Sequence, residues 1–180
     1  MKLSAHKLRR TKATQEKVRK IKKNDIYIIL DNVLDTYNVG AIFRLADAVA
    51  AKKLFLCGHT ETPPNSRIKK ASINTTEWVT WEQASTAVEA IKNLKLKIKN
   101  LKVIAIEQSP KSIPYTEANY EFPIALVVGN ETHGVSREVL EIAHQIVELP
   151  TFGINVSLNV MVSLGIVLYK TIEYNSKMEL

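Results

Sequence analysis

The sequence predicts an α/β fold: a mainly parallel sheet with helices on both faces, forming one domain behind a basic N-terminal arm. Three observations predict it. Four short apolar runs, IYIIL at 26–30, KLFLC at 53–57, KVIAI at 102–106 and IALVV at 124–128, read as strands buried on both faces. Stretches with helical apolar spacing lie between them, and strand alternating with helix is the pattern of a parallel sheet joined by crossovers. The third observation is size, since 180 residues of which 46% are apolar suffice for one substantial core.

The arm comes first. Residues 1–23 carry ten basic side chains against the single acid Glu16, and large apolar side chains such as Leu3, Leu8, Val18 and Ile21 are sparse. A segment so poor in apolar surface is expected to be at most a surface helix, or to order on binding. The domain over 24–180 opens with the strand at 26–30. A helix is predicted over 39–50, because Ile42, Leu45, Ala46 and Val49 share one face. The strand at 53–57 is followed by a loop at 62–65 marked by Pro63 and Pro64. Helices are predicted over 83–94 and 136–143, on either side of the strands at 102–106 and 124–128. A strand over 145–149 ends in Leu149-Pro150. The run 158–169 is apolar nearly all round, so this predicted helix must bury itself against the sheet or against another subunit.

The formal net charge of +7 is unevenly spread: beyond residue 23 the chain has fifteen basic and seventeen acidic side chains. A near-neutral body with a polycationic arm points to a polyanionic partner, nucleic acid or an anionic membrane surface, and Arg9, Arg10, Lys12, Arg19 and Lys20 are the candidate contacts. The lone Cys57 excludes an internal disulfide framework and suits a reducing cytoplasm. Four histidines show no metal-ligand spacing, and no metal is expected. No apolar run precedes residue 26, and Asn155, Ser157, Asn159 and Ser163 interrupt the apolar 154–169 stretch, so neither a secretory signal nor a membrane span is expected.

Ligands of parallel α/β sheets sit at strand ends, where three polar and glycine constellations occur. Asn38-x-Gly40-x-x-x-Arg44 follows the first strand; here Asn38 is expected before or at the helix N-cap, with Arg44 facing the same pocket. By itself this reads equally as a capped helix with a surface cation. Gly129-Asn130-Glu131-x-x-Gly134-x-Ser136 follows the strand at 124–128. It imitates a P-loop but has Val135 in place of the lysine and an acid inside the loop, which disfavours a triphosphate. No GxGxxG is present, so a dinucleotide site is unsupported. The third constellation is Pro150-x-x-Gly153 with Ser157-Leu158-Asn159-Val160. Ser157 could be an ordinary N-cap, whereas Asn159, as a buried amide, needs a specific partner.

Together, in this order and separation, the three constellations resemble the motifs of the SpoU (TrmH) branch of the SPOUT RNA methyltransferases, over about residues 25–172. Two positions depart from the usual pattern: Thr151 after the proline and Met161 two residues after Asn159. The resemblance implies a C-terminal trefoil knot, a homodimer with the apolar 158–169 helix at its interface, and transfer of a methyl group from S-adenosylmethionine to an RNA ribose 2′-hydroxyl. It implies catalytic roles for Arg44, Asn38, Glu131, Ser157 and Asn159, and cofactor contacts at Ile106, Glu107, Gly129, Leu149, Ser157 and Leu158. Arg44 is expected to be essential, although a guanidinium holds its proton at neutral pH and is a poor literal base. A short basic arm favours tRNA over rRNA as substrate. The competing readings are an inactive RNA-binding module of the same fold and a base-directed SPOUT methyltransferase; a nucleotide-binding oxidoreductase lacks its glycine fingerprint.

Overall fold

A computed structural model describes residues 13–178 of the chain. Arg9, Arg10 and Lys12 lie outside the described residues. The arm contributes α1 (Gln15–Lys20), capped by Thr14 and without a buried residue. The elements that follow are β1 (Asn24–Asp31), α2 (Thr36–Ala48), β2 (Ala51–Cys57), α3 (Ser66–Ser72), a 3-10 turn (Thr75–Glu77), β3 (Trp81–Ala84) and α4 (Ala87–Lys97). After these come β4 (Lys102–Ile106), β5 (Ile113–Pro114), β6 (Ile124–Gly129), α5 (Arg137–Ile142), β7 (Gln145–Glu148) and α6 (Val160–Met178).

The seven strands form one sheet in the order β3-β2-β1-β6-β4-β7-β5, and every pairing between them is parallel. Alternation along each strand splits the core into two layers. Ile26, Ile28 and Leu30 of β1 face the layer covered by α2, α3 and α6, while Tyr27 and Ile29 face the layer covered by α4 and α5. Phe43 and Ile42 of α2 are fully buried in the first layer, where truncation to alanine costs roughly 2–5 kcal/mol per side chain. The α/β class with helices on both faces is as the sequence predicts.

Several boundaries differ, each for a local reason. Asp35 accepts a hydrogen bond from Tyr37 N at 2.8 Å and caps α2, so the helix starts three residues before its expected start and Asn38 lies inside it rather than at its cap. The helix expected over 83–94 begins at Ala87, behind the Thr86 cap; Gln83 and Ala84 belong to edge strand β3, anchored by Trp81 against Phe43 at a ring separation of 6.4 Å. The last helix runs nine residues beyond Tyr169 to Met178, because Asn175 bridges it to the 120–122 turn: its Nδ2 donates to Tyr120 O at 2.8 Å and its Oδ1 accepts from Phe122 N at 3.2 Å. Helix α3 and strand β5 have no counterpart in the sequence-based assignment.

After β3 the chain crosses to the far side of β6 to form β4. The C-terminal ends of β1, β6, β4 and β7 are therefore neighbours at a reversal of strand order, where a parallel sheet opens a crevice.

Candidate active site

Strand β6 runs into the crevice and ends at Gly129, and the loop after it is pinned from both neighbouring strands. Asn130 closes the turn, its Oδ1 accepting from Thr132 N (2.8 Å) and His133 N (3.0 Å) while its Nδ2 donates to Asn32 O (2.9 Å). From β4, Glu107 Oε2 accepts Val135 N–H at 2.8 Å; from β1, the buried Asp31 accepts Ser136 N–H at 2.8 Å. Both glycines of the motif are required. A Cβ on Gly129 would stand 2.1 Å from the Gly134 carbonyl carbon, and Gly134 adopts φ +69 with Glu107 Oε2 where a Cβ would go.

Glu131, at the tip of this loop, reaches α2. Its Oε2 accepts Leu34 N–H and its Oε1 accepts Asp35 N–H and Asn38 Nδ2–H, all at 3.0 Å. Burial would push the Glu131 carboxyl up, but the hydrogen bonds from Leu34, Asn38 and Asp35 outweigh it and hold the group below the usual carboxylate value. Asn38, only 6% exposed, in turn accepts Asn159 Nδ2–H on its Oδ1 at 3.1 Å. Three of the five expected catalytic residues, on three separate segments, thus form one chain of hydrogen bonds: Glu131, Asn38, Asn159. Asn159 itself is exposed, which corrects the expectation of a buried amide. Its Oδ1 accepts Met161 N (2.9 Å) and Val162 N (3.4 Å), so Asn159, and not Ser157, caps the last helix.

These groups border a cleft of about 520 Å³. Ile106, Glu107, Gly129, Leu149, Ser157 and Leu158, the expected cofactor contacts, all line it, as do Glu131 and Asn159. Asn38 stands one hydrogen bond behind the wall. Arg44 is neither in the cleft nor on Asn38's side of α2. Six residues of helix advance about 9 Å and turn about 240° beyond a full revolution, so Asn38 points inward and Arg44 outward, exposed and without a hydrogen bond or ion pair among the described residues. The shared pocket expected for the two was an error of helical phase. Arg19 is exposed on α1, and Lys20 pairs with Glu16 at 2.6 Å.

Sequence reasoning missed Asp31, Asn32 and Gln108, and quoted Asn130 in its motif without giving it a role. Gln108 Nε2 donates to Val156 O at 2.8 Å and ties the end of β4 to the segment after β7. Asp31 and Asn32 had a legible signal, two polar residues closing an apolar strand, but their partners lie about a hundred positions away.

The model of the SpoU rRNA Methylase family matches residues 25–169. The chain belongs to this family. It is 36% identical to the tRNA (guanosine(18)-2'-O)-methyltransferase of Aquifex aeolicus, over 90% of this chain and 75% of that protein. To the tRNA (guanosine(18)-2'-O)-methyltransferase of Escherichia coli it is 28% identical, over 81% of this chain but only 62% of the longer relative. The crystal structure of the A. aeolicus TrmH/SpoU tRNA modifying enzyme superposes with a TM-score of 0.79 at 30% identity, over 97% of this chain and 83% of that one. An AdoMet-bound rRNA methyltransferase from Sinorhizobium meliloti superposes at 0.77 with 27% identity, over 87% of this chain and 60% of that one. The family and the α/β SPOUT class expected from the three constellations are thereby established.

Proposed function

We propose that this SpoU-family chain uses S-adenosylmethionine to methylate a ribose 2′-hydroxyl of RNA, tRNA before rRNA, and acts as a homodimer in the cytoplasm. The observation that carries this is the Glu131–Asn38–Asn159 chain of hydrogen bonds at the rim of the 520 Å³ cleft. The cleft fits a small-molecule cofactor in size, within the roughly 300–1,000 Å³ typical of such sites. Its floor fits as well, because Gly129 and Gly134 leave backbone where any side chain would collide. When bound, S-adenosylmethionine would supply the methyl group of its sulfonium to the hydroxyl oxygen and leave as S-adenosylhomocysteine. Ile106, Gly129, Leu149 and Leu158 line the cleft and would hold its adenosine and methionine parts with apolar and backbone surface.

The chain's own residues then position the nucleophile. Glu131 is kept ionised and fixes the start of α2 through Leu34 and Asp35. Asn38 transmits that fixed position to Asn159 and hence to the start of α6 and the adjacent Ser157. Arg44, a free cation about one and two-thirds turns further along α2, is suited to hold the RNA strand and to stabilise charge developing on the 2′-oxygen as its proton leaves for solvent or phosphate.

The homodimer reading is supported by a run of exposed apolar side chains on the 150–158 segment and α6: Phe152 is 95% exposed, and Val156, Ile166 and Tyr169 are exposed beside it. The knot is part of the same proposal, with Gln108 bound across to Val156 as the contact that supports it. Among the described residues no helix is long and apolar enough to cross a membrane. The tRNA preference rests on the Aquifex relative, which is covered over 75% of its length, and on the basic arm.

Methyl incorporation from labelled S-adenosylmethionine into tRNA and rRNA, taken from a strain lacking the enzyme, tests the reading. A 2′-O-methylated nucleoside in tRNA, identified by mass spectrometry, is expected. A methylated base, or no product with either RNA, overturns it.

A further inference from the structure

Helix α3 (Ser66–Ser72) presents Arg67, Lys69 and Lys70 to solvent while burying Ile68 and Ser72. Its position is fixed at both ends. Asn65 caps it by accepting Arg67 N at 2.9 Å and Ile68 N at 3.2 Å, and Thr75 Oγ1 donates to Ser72 O at 2.9 Å just beyond it. No acid occurs between Glu61 and Glu77, a local excess of positive charge within a body that has more acids than bases.

The helix rests on the active-site helix at its glycine. A Cβ on Gly40 would stand 2.6 Å from Ala71 Cβ and 2.7 Å from Ile68 O, so the two backbones touch there. Arg44 is four residues beyond Gly40, on the same face of α2, and so projects along the side on which α3 lies. Elsewhere on the body several cations are neutralised locally, Lys52 by Asp25, Lys53 by Glu82, Lys102 by Glu121, Arg137 by Glu141 and Lys170 by Glu173, while Lys92, Lys97 and Lys99, on the opposite face of the sheet, are exposed and hold no ion pair among the described residues. Among the described residues none of Arg44, Arg67, Lys69 and Lys70 holds an ion pair. Asp47, the acid nearest Arg44 along α2, is engaged by Trp78 Nε1 at 2.7 Å.

We propose that Arg67, Lys69 and Lys70 of α3 form a docking surface for the sugar–phosphate backbone of the RNA substrate, continuous with Arg44 and separate from the N-terminal arm. The proposal rests on the RNA reading above. Unpaired cations held out by a rigid, capped helix suit phosphates, which set the register of a strand without reading its bases. Their place beside Arg44 lets the backbone flanking the target ribose be gripped within one helix pair of the reacting hydroxyl.

The test compares two triple variants of the full chain: Arg67→Gln/Lys69→Gln/Lys70→Gln on α3, and Lys92→Gln/Lys97→Gln/Lys99→Gln on and just after α4, across the sheet. Both remove three positive charges. RNA affinity is measured over a series of salt concentrations, with tRNA as probe, beside thermal unfolding and S-adenosylmethionine binding. The α3 variant is expected to lose about 2 to 3 from the slope of log K against log salt, at roughly 0.7–0.9 per phosphate contact, and to show a raised KM for tRNA. The α4 variant is expected to keep the wild-type slope. The double variant Lys69→Gln/Lys70→Gln, which leaves Arg67 beside the cap, should lose about two thirds as much. An α3 variant with wild-type affinity and slope overturns the docking surface while methyl transfer by the wild type leaves the RNA reading intact. Equal losses in both triple variants overturn it too, since net charge alone then accounts for binding. A wild type that neither binds tRNA nor methylates it overturns both.

Discussion

Asn38 donates its side-chain amide to Glu131 at 3.0 Å, joining two motifs that lie 93 residues apart. The oxygen of that same amide accepts from Asn159 Nδ2, so a single side chain of α2 connects the loop after β6 to the cap of the last helix.

Asn159 has two separable tasks, which two substitutions distinguish. Asn159→Ala removes the cap and the bond to Asn38, and is expected to lower stability by about 1 kcal/mol and to cut turnover sharply. Asn159→Asp keeps an acceptor for Met161 N and Val162 N but places a carboxylate against the Asn38 oxygen. Its melting temperature should stay near wild type while methyl transfer falls. Full turnover by Asn159→Asp would show that the bond to Asn38 has no part in the reaction.

Arg44→Ala should abolish methyl transfer with an unchanged melting temperature, because Arg44 is exposed and holds no partner in the described fold. S-adenosylmethionine affinity, measured by calorimetry, should stay within a few fold. Turnover above about a tenth of wild type, equivalent to roughly 1.4 kcal/mol of barrier, would remove Arg44 from the mechanism.

Gly40→Ala is expected to destabilise by roughly 1–3 kcal/mol, since its Cβ meets Ala71 Cβ at 2.6 Å and the Ile68 carbonyl at 2.7 Å. At about 2–4 °C per kcal/mol for a chain of this size, thermal unfolding resolves the loss. A wild-type melting temperature would mean that α3 shifts away without cost.

His144 gives the fold a weakness in mild acid. Its Nδ1 accepts Val103 N–H at 2.9 Å, and burial, together with the charges of Lys95 and Lys102, holds the imidazole below its ordinary value of 6.5. The folded chain therefore takes up the proton less readily than the unfolded one, so this contribution is complete above about 6.5 and is lost as the pH falls through the folded value. Urea midpoints at about pH 7.5 and about pH 5.5 should differ less in His144→Gln than in wild type. Parallel losses in the two proteins would assign the acid sensitivity elsewhere, for instance to Glu131, whose lowered carboxyl acts the same way further into acid.

The sequence by itself determined the parallel α/β class, because strands buried on both faces must be apolar at every position, and β1, β2, β4 and β6 all appear as such runs. Through the resemblance of its motifs it also singled out residues that the fold brings together: Asn38, Glu131 and Asn159 share one chain of hydrogen bonds, and the six expected cofactor contacts line one cleft. Short or polar elements were illegible. Edge strand β3 and two-residue β5 exist through pairing with β2 and β7, and α3 through its cap and its seat on Gly40, none of which leaves a periodic trace. Only the tertiary structure decided which way each group points. Packing of α2 on the sheet turned Asn38 inward, and because both residues lie inside the helix, six steps of about 100° then carry Arg44 to the exposed side. The same holds for Asp31, Asn130 and Gln108, whose partners are near in space because β1, β4, β6 and β7 end side by side, an adjacency set by the strand order of the folded sheet.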